Sequence, residues 1–194
     1  MEIRLACVED GIENYGFRKV SAFIKSIHPQ TKTTYVPSGN LRSILKVLTE
    51  KGAGELSDKD ISEVSQFLAE GDLIGFSSMT QYSKTVHQII SKVRHLNPKS
   101  YIVWGGIHAI VHPEDAIEHA DAICTGEGEF SFKNFLELFK SEKDFTTAPG
   151  FWFRKGNNII KNRNLPLMKP EEVDNLPPLT YQDGEYIYYK SKGF

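Results

Sequence analysis

Short apolar runs alternate with apolar faces at helical spacing about five times along this chain, and few folds satisfy that alternation. The runs at 2–8, 33–36, 72–77, 101–104 and 122–124 have strand length. Between and after them, hydrophobic residues recur every three or four positions: Phe17, Val20, Phe23, Ile24 and Ile27; then Leu41, Ile44, Leu45 and Leu48, ending near Gly52. Ile61, Val64, Phe67 and Leu68 follow, then Val86, Ile89, Ile90, Val93 and Leu96, and last Phe132, Phe135, Leu136 and Phe139. Strands that alternate with helices pair in parallel and need cover on both faces. The expectation is a doubly wound α/β domain over residues 1–145, Rossmann- or flavodoxin-like, with a mainly parallel five-stranded sheet. Right-handed crossovers point all strand C-terminal ends the same way, and ligands sit beyond those ends, where the strand order reverses.

Residues 146–194 have a different character. Phe151-Trp152-Phe153 and Ile159-Ile160 flank Lys155-Gly156-Asn157-Asn158, which reads as a hairpin with its turn residues at the tip. Pro166, Pro170, Pro177 and Pro178 mark residues 165–180 as an extended linker. Tyr186-Ile187-Tyr188-Tyr189 is too aromatic for a free tail and is expected to pack on something, an absent domain included. Of the 194 residues, 40% are hydrophobic and 25% charged, which is globular, and the net charge of −2 gives no basic field for nucleic acid or an anionic membrane. No run reaches the roughly 20 apolar residues of a membrane span, and the N-terminus lacks a secretory signal, so a cytoplasmic protein is expected. Cys7 and Cys124 lie apart within apolar runs and read as buried thiols, too few for an iron–sulfur or cysteine-based zinc site.

Three strand-end segments carry the chemistry: Gly75-Phe76-Ser77-Ser78-Met79-Thr80, Gly105-Gly106-Ile107-His108-Ala109 and Thr125-Gly126-Glu127-Gly128-Glu129. Each sets small or hydroxyl residues where the chain leaves the sheet, so backbone can approach a ligand and offer compact hydrogen-bonding groups. The same residue types also serve plain capping and tight turns, and only their convergence on one sheet edge favours a site. There is no G-x-x-x-x-G-K-[ST], Gly126-x-Gly128 lacks the third glycine of the dinucleotide motif, and Glu127 and Glu129 would repel a pyrophosphate. The ligand expected is rich in neutral amides and hydroxyls.

In order and spacing these segments resemble the cobalamin (B12)-binding domain found upstream of many radical SAM catalytic domains. The resemblance rests on the Ser/Thr-rich turn at 75–80, on Gly105 to Ala109 followed by His112-Pro113-Glu114, and on Gly126 to Glu129. A Gly-aromatic hairpin at 150–153 and Leu176-Pro177-Pro178 complete it, so it covers nearly the whole chain. It implies a module that binds cobalamin through Ser77, Ser78, Thr80, Gly105, Gly106, His108, Gly126, Glu127 and Gly128, with no catalytic residue and no protein ligand to a metal. Ser77, Gly105 and Gly106 would leave room for the nucleotide tail, while Ser78, Thr80 and the peptides of 126–128 would serve the corrin amides. Glu127 would accept from a corrin amide or act as a partner of the helix dipole. The parent protein would add a radical SAM domain with a [4Fe-4S] cluster and S-adenosylmethionine, for methyl transfer, cyclisation or rearrangement.

Two departures qualify the match. The Asp-x-His-x-x-Gly motif of methionine synthase and the mutases is absent, and residues 9–16 instead read Glu-Asp-Gly-Ile-Glu-Asn-Tyr-Gly, so no histidine from this loop reaches cobalt. Tyr15 is either a lower-face group or a loop-packing aromatic. No Cys-x-x-x-Cys-x-x-Cys follows the linker, which makes the chain, as expected here, a domain cut short of its catalytic partner. His108 and His112, four apart, are read as hydrogen-bonding or surface histidines in a turn. A receiver domain lacks its strand-three aspartate and its lysine, whereas a flavodoxin-like carrier would need a phosphate loop in place of acidic residues 9–16. A domain of this family with a vestigial site stays open.

Overall fold

The computed structural model describes residues 1–38, 56–141, 143–180, 183–190 and 192–194. The helix expected at Leu41 to Leu48 lies outside the described residues. In chain order the strands are β1 (Ile3–Glu9), β2 (Lys32–Pro37), β3 (Leu73–Ser78), β4 (Tyr101–Gly105), β5 (Ala122–Cys124), β6 (Phe151–Lys155), β7 (Asn158–Lys161) and β8 (Glu185–Ile187). The helices are α1 (Tyr15–Ile27), α2 (Asp58–Leu68), α3 (Ser83–Leu96), α4 (Ile107–Val111), α5 (Pro113–His119), α6 (Gly128–Lys140) and α7 (Pro170–Asp174).

The five expected parallel strands form the centre of a wider sheet, eight strands in the order β7-β6-β5-β4-β3-β1-β2-β8. From β1 the chain moves outward to β2 and then returns to β3 on the other side, which puts the reversal of strand order between β1 and β3. Each central strand is buried on both faces, yet the period of two still sorts its side chains. Ile3, Leu5 and Cys7 pack with Phe17 and Ile24 of α1 and Phe132, Phe135 and Leu136 of α6. Ala6, Val8, Ile74, Phe76, Ile102 and Trp104 pack on the opposite face with α2, α3 and α5. Local chemistry fixes the helix starts: Asn14 Oδ1 accepts from Phe17 N at 2.7 Å, and Ser57 and Asp60 close a capping box on α2.

The C-terminal segment extends the sheet at both edges. β6 and β7 form the expected hairpin, with Gly156 at φ +61° in its tip, and β6 runs antiparallel to β5 with Phe151 opposite Cys124. β8 pairs in parallel with β2, placing Ile187 opposite Tyr35. The aromatic tail therefore finds its packing within this chain. Tyr188 is buried, and its hydroxyl lies 2.7 Å from both Asp60 Oδ1 and Glu63 Oε2 of α2. No helix among the described residues is long and apolar enough to cross a membrane.

Candidate functional site

At the strand-order reversal a cleft of about 340 Å³ opens between α1 and α6, over the C-terminal halves of β1, β3 and β4. Its depth is apolar, formed by Leu5, Phe17, Val20, Ile24, Val103 and Phe132. Its rim is mixed, with Glu9, Asn14, Lys19 and Ser77, backbone from Gly105-Gly106 and 126–129, and the exposed apolar side chains of Ile107 and Ile110. Asn14 ties this mouth together: its Nδ2 donates to Glu9 Oε2 at 2.5 Å while its Oδ1 caps α1. Burial raises the carboxyl pKa of both Glu9 and Glu129 above the ordinary range, and the Asn14 hydrogen bond partly offsets this for Glu9.

The structure brings Ser77, Gly105, Gly106, Gly126, Glu127 and Gly128 to this cleft, from three strand ends that neighbour one another in the sheet. Ser78, Thr80 and His108 are placed elsewhere. Neighbours on a strand point to opposite faces, so Ser78 lies beneath the sheet, fully buried, where its Oγ accepts from Trp104 Nε1 at 3.1 Å. Thr80 is exposed at the start of a 3-10 turn over Thr80–Tyr82. His108 is 2% exposed, packs against Trp104 with ring centroids 4.8 Å apart, and donates from Nε2 to Asp115 Oδ2 at 2.8 Å. The turn expected around His108 and His112 is helical instead: α4 and α5 abut at His112, and Pro113 opens α5 as a first-turn proline. The hydrogen-bonding role read for His108 holds.

The glycines differ in what they do. Gly106 has φ +83°, and a Cβ there would meet Ser77 Oγ at 2.7 Å and Ser78 N at 2.8 Å, so the turn itself requires glycine. A Cβ on Gly75 would meet Leu5 Cδ2, and one on Gly128 would meet Val20 Cγ2, each at 2.8 Å, so those two glycines permit close packing around the cleft. Gly105 is different: a Cβ there would make only ordinary van der Waals contacts, with Cys124 Cβ at 3.6 Å and Phe76 O at 3.8 Å, so packing alone does not require glycine. Glu127 is occupied already, its Oε2 accepting from Met168 N at 2.8 Å, which draws the linker across the cleft mouth. Thr125 and Asn164 anchor the same crossing by two reciprocal hydrogen bonds of 2.8 and 3.1 Å.

Sequence reasoning missed Asn14, Lys19, Val20 and Met168. An asparagine just ahead of an amphipathic helix was a readable cap signal for the first; nothing local announces that Met168 crosses the mouth. Tyr15 is 70% exposed and does not line the cleft, and no histidine among the described residues lines it. Cys7 and Cys124 are buried strand thiols, with burial pushing Cys124 up to about 11.

The B12 binding domain family matches residues 43–136. An uncharacterized methyltransferase of Pyrococcus horikoshii is 22% identical over 144 residues, 73% of this chain and 31% of that protein. The anaerobic magnesium-protoporphyrin IX monomethyl ester cyclase of Synechocystis is 27% identical over 143 residues, 72% of this chain and 29% of its own length. Among solved structures, the radical S-adenosylmethionine methyltransferase TsrM of Kitasatospora setae, with cobalamin and a [4Fe-4S] cluster bound, superposes with a TM-score of 0.60. That match has 14% identity and covers 89% of this chain and 30% of TsrM. The cobalamin-dependent S-adenosylmethionine radical enzyme OxsB superposes at 0.58, with 16% identity, over 84% of this chain and 22% of OxsB. The chain thus spans under a third of the relatives it matches.

Proposed function

From the match of the B12 binding domain family to residues 43–136 and from the cleft, we propose that this chain holds cobalamin with the nucleotide tail in the α1/α6 cleft and the corrin across the cleft mouth. The cleft carries this reading: an apolar slot that opens at the switch point into backbone amides and small polar side chains suits a planar aromatic base below an amide-edged disc. Phe17, Val20 and Phe132 would flank the base, and Gly105 would let the tail approach the sheet. Ser77, Asn14 and the peptides of 126–128 would hydrogen-bond the amides, while Glu127 keeps the linker beside them. Bound cobalamin supplies a cobalt centre for methyl transfer or redox chemistry. This chain's residues would bind and orient it, and no histidine among the described residues lines the cleft.

In the longer protein, residues 1–145 would be the cofactor domain, and 146–194 would lead toward a radical SAM domain bearing the iron–sulfur cluster and S-adenosylmethionine. The methyltransferase and cyclase relatives support that setting. Titration of the chain with hydroxocobalamin, followed by absorbance, should show one site and no histidine-ligated spectrum. Absence of binding at high micromolar cobalamin would overturn the assignment in favour of a vestigial site.

A further inference from the structure

Across the sheet from the cleft, α3 and α5 bring together His87, Asp115 and His119. Each offers one ligand atom, and these atoms lie within 4.8 Å of one another, the one such group of histidine, cysteine and carboxylate side chains among the described residues. Asp115 and His119 are four residues apart on α5, so helical geometry puts them on one face. His87 faces them from α3. Its Nε2 is buried without a hydrogen-bond partner, and the closest carboxylate oxygen, Asp115 Oδ2, sits 3.4 Å away. A buried imidazole nitrogen without a close hydrogen bond, in ion-pair range of a carboxylate and beside a second imidazole, offers a lone pair to a Lewis acid.

We propose that His87, Asp115 and His119 bind one divalent first-row transition ion, with zinc the ion best suited to the donor set. Two imidazoles and one carboxylate are a borderline set that hard ions such as magnesium or calcium do not favour. Three protein ligands leave a fourth position for water. Ligand atoms around a tetrahedral zinc stand about 3.3 Å apart, so groups now within 4.8 Å of one another need close by up to about 1.5 Å. His119, half-buried at the end of α5, and Asp115, whose side chain is 47% exposed, have room for that adjustment. The His87 and His119 rings, now stacked at 3.7 Å, would turn to aim their lone pairs at one point. His87 is braced edge-on by Trp104, with centroids 5.2 Å apart.

The surroundings have the form of a supporting shell. His108 donates to the same Asp115 carboxylate at 2.8 Å and so orients it. His108 also belongs to α4, capped by Gly106, whose Ile107 and Ile110 border the cleft. An ion here would clamp α5 to α3 beneath that turn. The site is separate from the cleft and independent of whether cobalamin binds.

The test uses the cobalamin-free 194-residue chain. Cobalt(II) should add one equivalent, with visible d–d bands of a four- or five-coordinate site and no thiolate charge-transfer band, since Cys7 and Cys124 are buried elsewhere. Zinc should displace it and raise the melting temperature. His87→Asn and His119→Gln should each weaken zinc at least about tenfold, whereas His95→Gln, an exposed residue in the last turn of α3, should not. Should His87→Asn fail to fold, the more exposed His119→Gln and the wild-type cobalt spectrum still decide. Failure to bind cobalt(II) or zinc below about millimolar, an octahedral spectrum, or full affinity in folded His119→Gln would overturn the proposal. Failure of cobalamin binding alone would leave it standing.

Discussion

The two faces of the sheet meet at the same turn and treat it oppositely. Toward α1 and α6, the strand ends withhold side chains: Gly75, Ser77, Gly105 and Gly106 border an open slot. Toward α2, α3 and α5 the next residues along are large or hydrogen-bonded. Phe76 and Trp104 fill that face, Ser78 accepts from the indole, and His108 reaches Asp115. A one-residue step along a strand thus separates a receiving surface from a supporting one. Rigid support below the turn is what lets the turn above it stay bare, because a ligand contact is only as well placed as the residues that hold it.

The largest effect should come from breaking the support. Trp104→Ala removes a fully buried indole and leaves Ser78 Oγ without its donor. A loss of about 3–5 kcal/mol is expected, roughly 10 °C in Tm for a chain of this size, read by thermal denaturation. Cobalamin affinity should fall with it, since the turn rests on that ring. A well-folded Trp104→Ala chain that bound normally would show that the two faces are uncoupled.

Next in size is a pair that separates the faces. Gly105→Val puts its Cβ at ordinary contact distance from Cys124 and Phe76 beside the cleft, so stability should change by no more than about 1 kcal/mol while cobalamin affinity drops about a hundredfold. Gly106→Val is a poorer probe than its neighbour. Its φ of +83° and the clash with the Ser78 backbone make it a folding lesion first, costing about 1–3 kcal/mol or more. Circular dichroism beside an absorbance titration distinguishes the two. Normal binding by a folded Gly105→Val would move the tail out of the cleft.

Much of this contrast was legible in the chain. The five central strands and the strand-end glycines follow from local periodicity, which both faces of a parallel sheet preserve. The motif alone puts Ser78 with Ser77 at the ligand, yet strand alternation sets the two on opposite faces, and Ser78 binds Trp104. The same motif carries His108, whose place on the other face shows only in its packing on Trp104. β8 was not legible, because three edge residues that follow a proline-rich linker carry no period to read. Nor was the grouping of His87 with Asp115 and His119, which depends on α3 meeting α5 across β4 and β5, a fact of topology with no local signal.

The smallest effect probes the cleft wall itself. Glu129, in the first turn of α6, is 5% exposed, and desolvation raises its pKa against the helix N-terminal amides and Lys19, which pull it down. Below the ordinary carboxyl range, about pH 4, folded and unfolded chains both hold the proton and the group contributes nothing to pH dependence. As pH rises past that value the unfolded chain ionises first, so stability falls until the folded carboxyl also ionises, and the penalty then stays constant. Glu129→Gln should therefore raise Tm at neutral pH, with the gain shrinking toward zero near pH 4. A ligand seated against α6 would bury this carboxyl further and raise its pKa again. Cobalamin binding should then take up a fraction of a proton and weaken slightly as pH rises through the Glu129 transition, a dependence that Glu129→Gln abolishes. Calorimetric titration in buffers of different ionisation enthalpy measures that proton directly. Binding without proton uptake would place the ligand away from the α6 wall, even if the cleft were filled.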